Sequence, residues 1–303
     1  MRLPPGIHTV LYALFDRNGA LDRDAMRRQV EVCIGRGVAG IVTLGLATEV
    51  RHLTPDQRRS LVEWNATDVA GRVPLGVTIF EPTVEDQVAA ANHAAEHGAQ
   101  WIILQPIPDA RSESDLVASF SSALSRLEVP CAIQNAPQYI GVGLKDDSIL
   151  RLCDRFPHLV AIKQEVSAVE TATLIEQLGG RLQVFSGRGG IELPDCMTAG
   201  IHGHVPAPEC VDHLVEIWTL QSQGRREEAA EIYARLLPLA TFVLQSLDTL
   251  TAYGKLLFCE RHDLPFVPRP GGPSPTPFGL RALRQHVRFL GIDAAGARND
   301  RGR

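Results

Sequence analysis

The stretch HLVAIKQEVS, residues 158–167, holds the side chains with the most chemistry to offer. Only three lysines occur among the 30 Lys+Arg residues, so arginine is the ordinary surface cation and each lysine needs its own reason. Lys145 falls in the polar stretch GLKDDS, and Lys255 in the helical stretch TAYGKLLF, where solvent or an ion pair would account for it. Lys163 closes the run LVAIK, which has the profile of an interior strand. Only a free amine attacks a carbonyl, and apolar neighbours disfavour the ammonium form of a lysine. A lysine so placed suits Schiff-base chemistry on a carbonyl substrate, the competing reading being a structural lysine paired with an internal carboxylate. Glu165 stands two residues further on, hence on the same side of a strand. It is either a general acid/base beside the amine or the static partner of a salt bridge.

Other residues could complete a pocket. In GIVTLGLAT the backbone amides of Ala47 and Thr48, with the Thr48 hydroxyl, are candidates to cradle a substrate carboxylate, although Thr48 could equally cap a turn. SGRGG, residues 186–190, lies between a strand and a helix where phosphates often bind in barrels, but a tight turn alone would explain its glycines. Ser186 and Arg188 are expected as substrate contacts, Arg188 for an anionic end, and Val205 at the end of the last strand is expected beside them. His202 and His204 form H-x-H without a visible third ligand, so no metal site and no cofactor is expected.

The elements that must position these residues read clearly. Eight short apolar runs recur: HTVLYALF, GIVTLG, PLGVTI, WIILQP, PCAIQNA, LVAIKQE, QVFSG and IHGHVPA. Amphipathic stretches separate them, and helix starts are marked by Thr54-Pro55-Asp56-Gln57, by Thr83 with Asp86 and by Ser167 with Glu170. The repeated strand-then-helix order predicts an α/β fold, a (β/α)8 TIM barrel over residues 1–208, with a doubly wound open sheet as the weaker alternative. Lys163 would then stand at the C-terminal end of a barrel strand, the end that carries active sites. Residues 209–293 read as a C-terminal helical extension packed on the barrel, interrupted by the Pro-rich LPFVPRPGGPSPTPFG, and 294–303 as a disordered tail.

Composition excludes several classes. With 45% hydrophobic and 21% charged residues the chain is ordinary globular material, and no apolar run is long enough to cross a bilayer. MRLPPGIHTV has prolines where an export signal needs an unbroken apolar segment, so a cytoplasmic protein is expected. The six cysteines lack a C-x-x-C pair, and a net charge of -5 without a basic stripe speaks against nucleic acid as a partner.

Taken in order, these segments resemble the superfamily of dihydrodipicolinate synthase and N-acetylneuraminate lyase, the class I aldolases and dehydratases. GIVTLGLATEVRHLTPDQR resembles its G-T-T-G-E turn and following helix, VPCAIQNAPQYIGVGL its Y-N-x-P segment, and LVAIKQE its lysine strand. GRVPLGVTI and HAAEHGAQWIILQP resemble the units between. The resemblance implies a barrel with added helices, a homo-oligomer (tetramer or dimer), no cofactor, a 2-oxo acid substrate and Lys163 as the imine-forming residue. Departures bear on the reaction. Gln134 replaces the proton-relaying tyrosine and cannot titrate near neutral pH. Tyr139 replaces the arginine that grips the synthase's second substrate, Ile107 and Pro108 stand where aromatic residues are expected, and Leu46 and Ala47 replace threonines. Lysine-pathway synthesis is therefore not expected. The 2-keto-3-deoxy-pentonate dehydratase branch, which acts on acids such as L-2-keto-3-deoxyarabinonate, is similar in its non-tyrosine residue before A-P, its Thr48-Glu49 pair and its K-x-E at Lys163-Gln164-Glu165. The resemblance thus implies dehydration of a 2-keto-3-deoxy sugar acid, with Lys163, Glu165 and Gln134 as the catalytic set and with Gln134 and Tyr139 lining the distal pocket for sugar hydroxyls. The alternatives are retro-aldol cleavage or a hydratase-aldolase releasing pyruvate, and a non-catalytic barrel that binds a keto acid.

Overall fold

The computed structural model describes residues 2–292; the tail expected at 294–303 lies outside the described residues. Eight parallel strands form a closed barrel in sequence order. They are β1 (Gly6–Val10), β2 (Gly40–Thr43), β3 (Leu75–Ile79), β4 (Trp101–Leu104), β5 (Cys131–Asn135), β6 (Leu159–Gln164), β7 (Gln183–Ser186) and β8 (Gly203–His204). Seven lie within their apolar runs, while β1 starts two residues before HTVLYALF and ends at Val10; all but Val160 of the strand residues are buried, as parallel strands wrapped by helices must be.

The intervening helices are α1 (Arg23–Gly35), α2 (Pro55–Val69), α3 (Val84–Glu96), α4 (Glu113–Leu124), a single turn α5 (Pro137–Ile140), α6 (Asp146–Arg155), α7 (Ala168–Leu178) and α8 (Leu193–Ala199). The starts expected from sequence are present as hydrogen bonds. Thr54 accepts from the Gln57 amide while the Gln57 side chain accepts from the Thr54 amide, and Ser167 with Glu170 repeats this exchange. After β8 comes α9 (Val211–Ser222), which packs on β1 and completes the ring. The extension expected from residue 209 therefore includes the barrel's own last helix. What is added beyond it is α10 (Arg226–Val243), the turn α11 (Leu247–Thr249), a π-turn over Leu250–Gly254 running into α12 (Lys255–Arg261), and α13 (Pro277–Leu290) on α10. No helix among the described residues is long and apolar enough to cross a membrane.

Size complementarity between neighbouring strands closes the interior. His8 of β1, Trp101 of β4 and Phe185 of β7 meet inside, the His8 ring 5.1 Å from that of Phe185 and 6.0 Å from that of Trp101. The register partner of each is a glycine: Gly40 for His8, Gly76 for Trp101 and Gly203 for Phe185. A Cβ at Gly76 would lie 2.5 Å from Trp101, and one at Gly203 2.4 Å from Phe185, so the large rings occupy volume that only glycine leaves open. Because Phe185 points inward, strand alternation turns Ser186 outward, and the pairing of Lys163 with Phe185 and with Gln134 puts both of those side chains inside.

His8 is fully buried, donates from Nε2 to the Pro4 carbonyl at 2.8 Å, and burial lowers its pKa to about 4. The unfolded chain therefore takes up its proton near the ordinary histidine pKa of 6.5 while the folded protein resists it, so stability is full above that pH and is lost as pH falls towards 4. Urea titrations across this window should show the parent losing roughly 3 kcal/mol more than a variant without this imidazole. A His8→Gln variant should show a shallower acid slope.

Candidate active site

The interior cavity opens at the C-terminal ends of the strands. Its walls come from Lys163 and Glu165 of the β6 end, Tyr139 of α5, Arg188 and Gly189 after β7, Val205 and Glu209 after β8, and Ala47 after β2. Its enclosed volume is about 40 Å³, room for about three water molecules.

At its centre Lys163 Nζ lies 3.2 Å from Glu165 Oε2, both side chains almost wholly buried. The same carboxylate oxygen accepts a hydrogen bond from Gln134 Nε2. Glu165 lies one residue beyond the strand as bounded, but its amide still donates to the Asn135 carbonyl at 2.8 Å, so the ladder persists and keeps its side chain on the Lys163 side. Gly187 makes room for it: a Cβ there would lie 2.5 Å from Glu165 Oε1. The SGRGG glycines thus serve a turn in which Arg188, Gly189 and Gly190 all take positive φ. Arg188 Nη1 pairs with Glu192 at 2.8 Å, and the guanidinium lies close enough to the Tyr139 phenol to act on its charge. Burial and the Glu165 charge push the Tyr139 pKa up, Arg188 opposing them.

The cavity thus unites Lys163, Glu165, Ala47, Tyr139, Arg188 and Val205, with Gln134 bonded to Glu165 from behind. Two expected contacts sit elsewhere. Ser186 faces the layer between sheet and helices, where its hydroxyl lies 2.8 Å from His204 Nδ1, so strand parity removes it from the substrate pocket. Thr48 spends both donors inside the protein, its amide on the Gly45 carbonyl at 3.0 Å and its hydroxyl on the Leu11 carbonyl at 2.6 Å. It fixes the mouth turn rather than offering that hydroxyl to a carboxylate. His202 and His204 have separate partners as well, Val184 and Ser186, and burial with the nearby Lys163 charge brings the His204 pKa down to about 3.

Several site elements went unread in the sequence. Glu209, on the cavity wall, accepts from the Tyr12 hydroxyl at 2.7 Å, and burial pushes both pKa values up. Leu244, Leu247 and Leu250 of the added helices line the cavity from the far side. Lys255, for which a solvated position was one expectation, is buried and ion-paired with Glu49, whose other oxygen meets Arg269 Nε at 3.1 Å. Desolvation pulls the Lys255 pKa down and Glu49 opposes it. Glu49 itself is in the left-handed conformation, φ 59°, between two short 3-10 turns, so this carboxylate ties the mouth turn to the C-terminal segment. Lys255 is no rival nucleophile, since its amine lies against Glu49 and over the Phe15 ring instead of lining the cavity.

Fold and cavity together define a (β/α)8-barrel protein with a cavity at the C-terminal mouth and a buried lysine at its centre. The chain belongs to the dihydrodipicolinate synthetase family, whose model matches residues 4–255. A probable 2-dehydro-3-deoxy-D-pentonate aldolase of Escherichia coli (strain K12) is 28% identical over 251 residues, 80% of this chain and 82% of that protein. A 4-hydroxy-tetrahydrodipicolinate synthase of Xanthomonas axonopodis pv. citri is 30% identical over 238 residues, covering 76% and 77%. Among solved structures, the 4-hydroxy-tetrahydrodipicolinate synthase of Methylacidiphilum fumariolicum SolV superposes with a TM-score of 0.88 at 21% identity, over 95% of this chain and 96% of that one. The relatives' names, synthase and aldolase, support a lyase.

The Glu49 cluster carries a stability prediction. Glu49→Ala would leave two cations without their shared carboxylate, and denaturant titration should show a loss of about 3–5 kcal/mol. A Glu49→Leu/Lys255→Met double variant should recover part of it.

Proposed function

We propose that this protein is a Schiff-base-forming lyase of a 2-oxo acid, and that its reaction is the dehydration of a 2-keto-3-deoxy sugar acid. The observation that carries this is the 3.2 Å separation of Lys163 Nζ and Glu165 Oε2. An imine formed on Nζ places C3 of the substrate two bonds from the nitrogen, within reach of that carboxylate, and the C4 hydroxyl farther out.

Glu165 first takes a proton from the Lys163 ammonium; the free amine adds to the C2 carbonyl, and Glu165 returns that proton to the departing C2 oxygen, so water leaves and a protonated imine remains, an electron sink for the C3–H bond. Glu165 takes the C3 proton and gives an enamine. The enamine pair expels the C4 hydroxyl, to which Glu165 returns the proton, so water leaves and C3=C4 forms. Tautomerisation and hydrolysis of the imine then free the amine, with net loss of one water. Gln134 holds the Glu165 oxygen in place without competing for its proton. The substrate carboxylate is assigned to the backbone at Ala47, and the hydroxyl-bearing end to Tyr139 and Arg188.

The Escherichia coli relative's name favours a second reading, retro-aldol cleavage releasing pyruvate. It requires removal of the C4 hydroxyl proton, followed by C3–C4 scission. A panel of 2-keto-3-deoxy acids decides between them: dehydration should be seen as a mass loss of one water, with no pyruvate in a lactate dehydrogenase couple. Lys163→Ala should abolish turnover and borohydride trapping of substrate on the protein. Glu165→Gln should keep the trapping yet lower kcat about 10²- to 10⁴-fold. Full activity in Glu165→Gln would overturn the acid/base assignment.

A further inference from the structure

On the outer face of the barrel, Glu63 of α2 meets His93 of α3 and His97, the residue that caps α3. One donor atom from each lies within 4.8 Å of the other two. His93 and His97 are four residues apart, the spacing that stacks side chains on one helix face, and their ring centroids are 4.2 Å apart. Glu63 Oε1 is 3.5 Å from His93 Nε2 and 3.9 Å from His97 Nε2.

The proton inventory makes this cluster unusual. His97 Nδ1 lies 2.8 Å from the His93 carbonyl, which can only accept, so Nδ1 carries the hydrogen and a neutral His97 has a lone pair on Nε2. That lone pair faces a carboxylate oxygen. His93 Nε2 is buried and has no hydrogen-bond partner. The Glu63 carboxylate and the His97 Nε2 lone pair converge with the unpartnered His93 Nε2, an arrangement that a positive species between them satisfies, and among the described residues the ion-pair partners of Glu63 are these two imidazoles. The nearby arginines are committed elsewhere, Arg58 to Glu81 and Arg59 to Asp56.

We infer that Glu63, His93 and His97 form a binding site for a divalent transition-metal ion of the zinc type. Two imidazoles and a carboxylate are a borderline-soft donor set that leaves a fourth position to water. The Nδ1–H of His97 on a backbone carbonyl is the outer hydrogen bond that orients a metal-bound histidine. The ion also lies at the C-terminal end of α3, where the helix dipole favours positive charge. Ligand atoms around tetrahedral zinc are about 3.3 Å apart, so small rotations of these part-exposed side chains close the site. The bound ion clamps α2 to α3, away from Lys163, and its role is structural.

The test is a titration of chelator-dialysed protein with zinc chloride at about pH 7.5, followed by calorimetry and thermal melting. One ion per chain is expected, raising Tm by a few degrees at saturation. His97→Gln should weaken binding at least about tenfold, and His93→Gln/His97→Gln should remove both the binding and the Tm shift. Turnover of the zinc-free variants should equal that of the zinc-free parent. Glu63→Gln, which keeps the side chain's size, should also bind at least tenfold more weakly and serves if the double variant does not fold. Absence of binding by the parent protein up to about 1 mM zinc would overturn the inference and leave a proton as the bridging species. Equal binding in parent and variants would overturn it too.

Discussion

Two opposite charges stand 3.2 Å apart inside the barrel, on Lys163 and Glu165, and neither could be held there alone. Much of the surrounding construction follows from accommodating that pair. The β5–β6 register puts Gln134 beside Lys163 and lets its amide grip the carboxylate. Residue 187 carries no side chain, because the volume beside its Cα is taken by Glu165. The stretched end of β6, held by the Glu165 amide on Asn135, keeps lysine and glutamate on one face. Such a pair is a poor source of stability but a good arrangement for chemistry, since the same two groups can exchange a proton with a substrate between them.

A second buried carboxylate does a different task. Glu49 joins Lys255 and Arg269, which are far apart in sequence from it, and so attaches the mouth of the barrel to the C-terminal segment. The two acid–lysine pairs differ in the access of the lysine: Lys163 and Glu165 both border the central cavity, whereas in the other pair Glu49 meets a separate pocket and Lys255 lies covered, over the Phe15 ring. Accessibility, not burial, distinguishes the two lysines.

Much of this was legible in the residues because barrel strands are local objects. Eight apolar runs alternating with amphipathic stretches, three of them opened by the caps Thr54, Thr83 and Ser167, can be read without knowing any long-range contact, and so can the shared side of Lys163 and Glu165. Parity also governs Ser186, yet applying it requires knowing that Phe185 packs inside, and only the ring cluster with His8 and Trp101 reveals that. Thr48 shows another limit, since a hydroxyl's availability depends on whether a carbonyl from another loop, here Leu11, has already claimed it. The glycines opposite the large rings, the Glu49 partners and the meeting of Glu63 with His93 and His97 all depend on residues brought together by closure and helix packing. Local pattern carries no trace of them.

The three leucines that wall the far side of the cavity, Leu244, Leu247 and Leu250, have an implication for how the protein is made. During synthesis the strand bearing Lys163 leaves the ribosome some eighty residues before these walls exist. A nascent chain can therefore carry the Lys163–Glu165 strand while lacking the leucine wall, and the cavity is enclosed only when the helices after the barrel have docked.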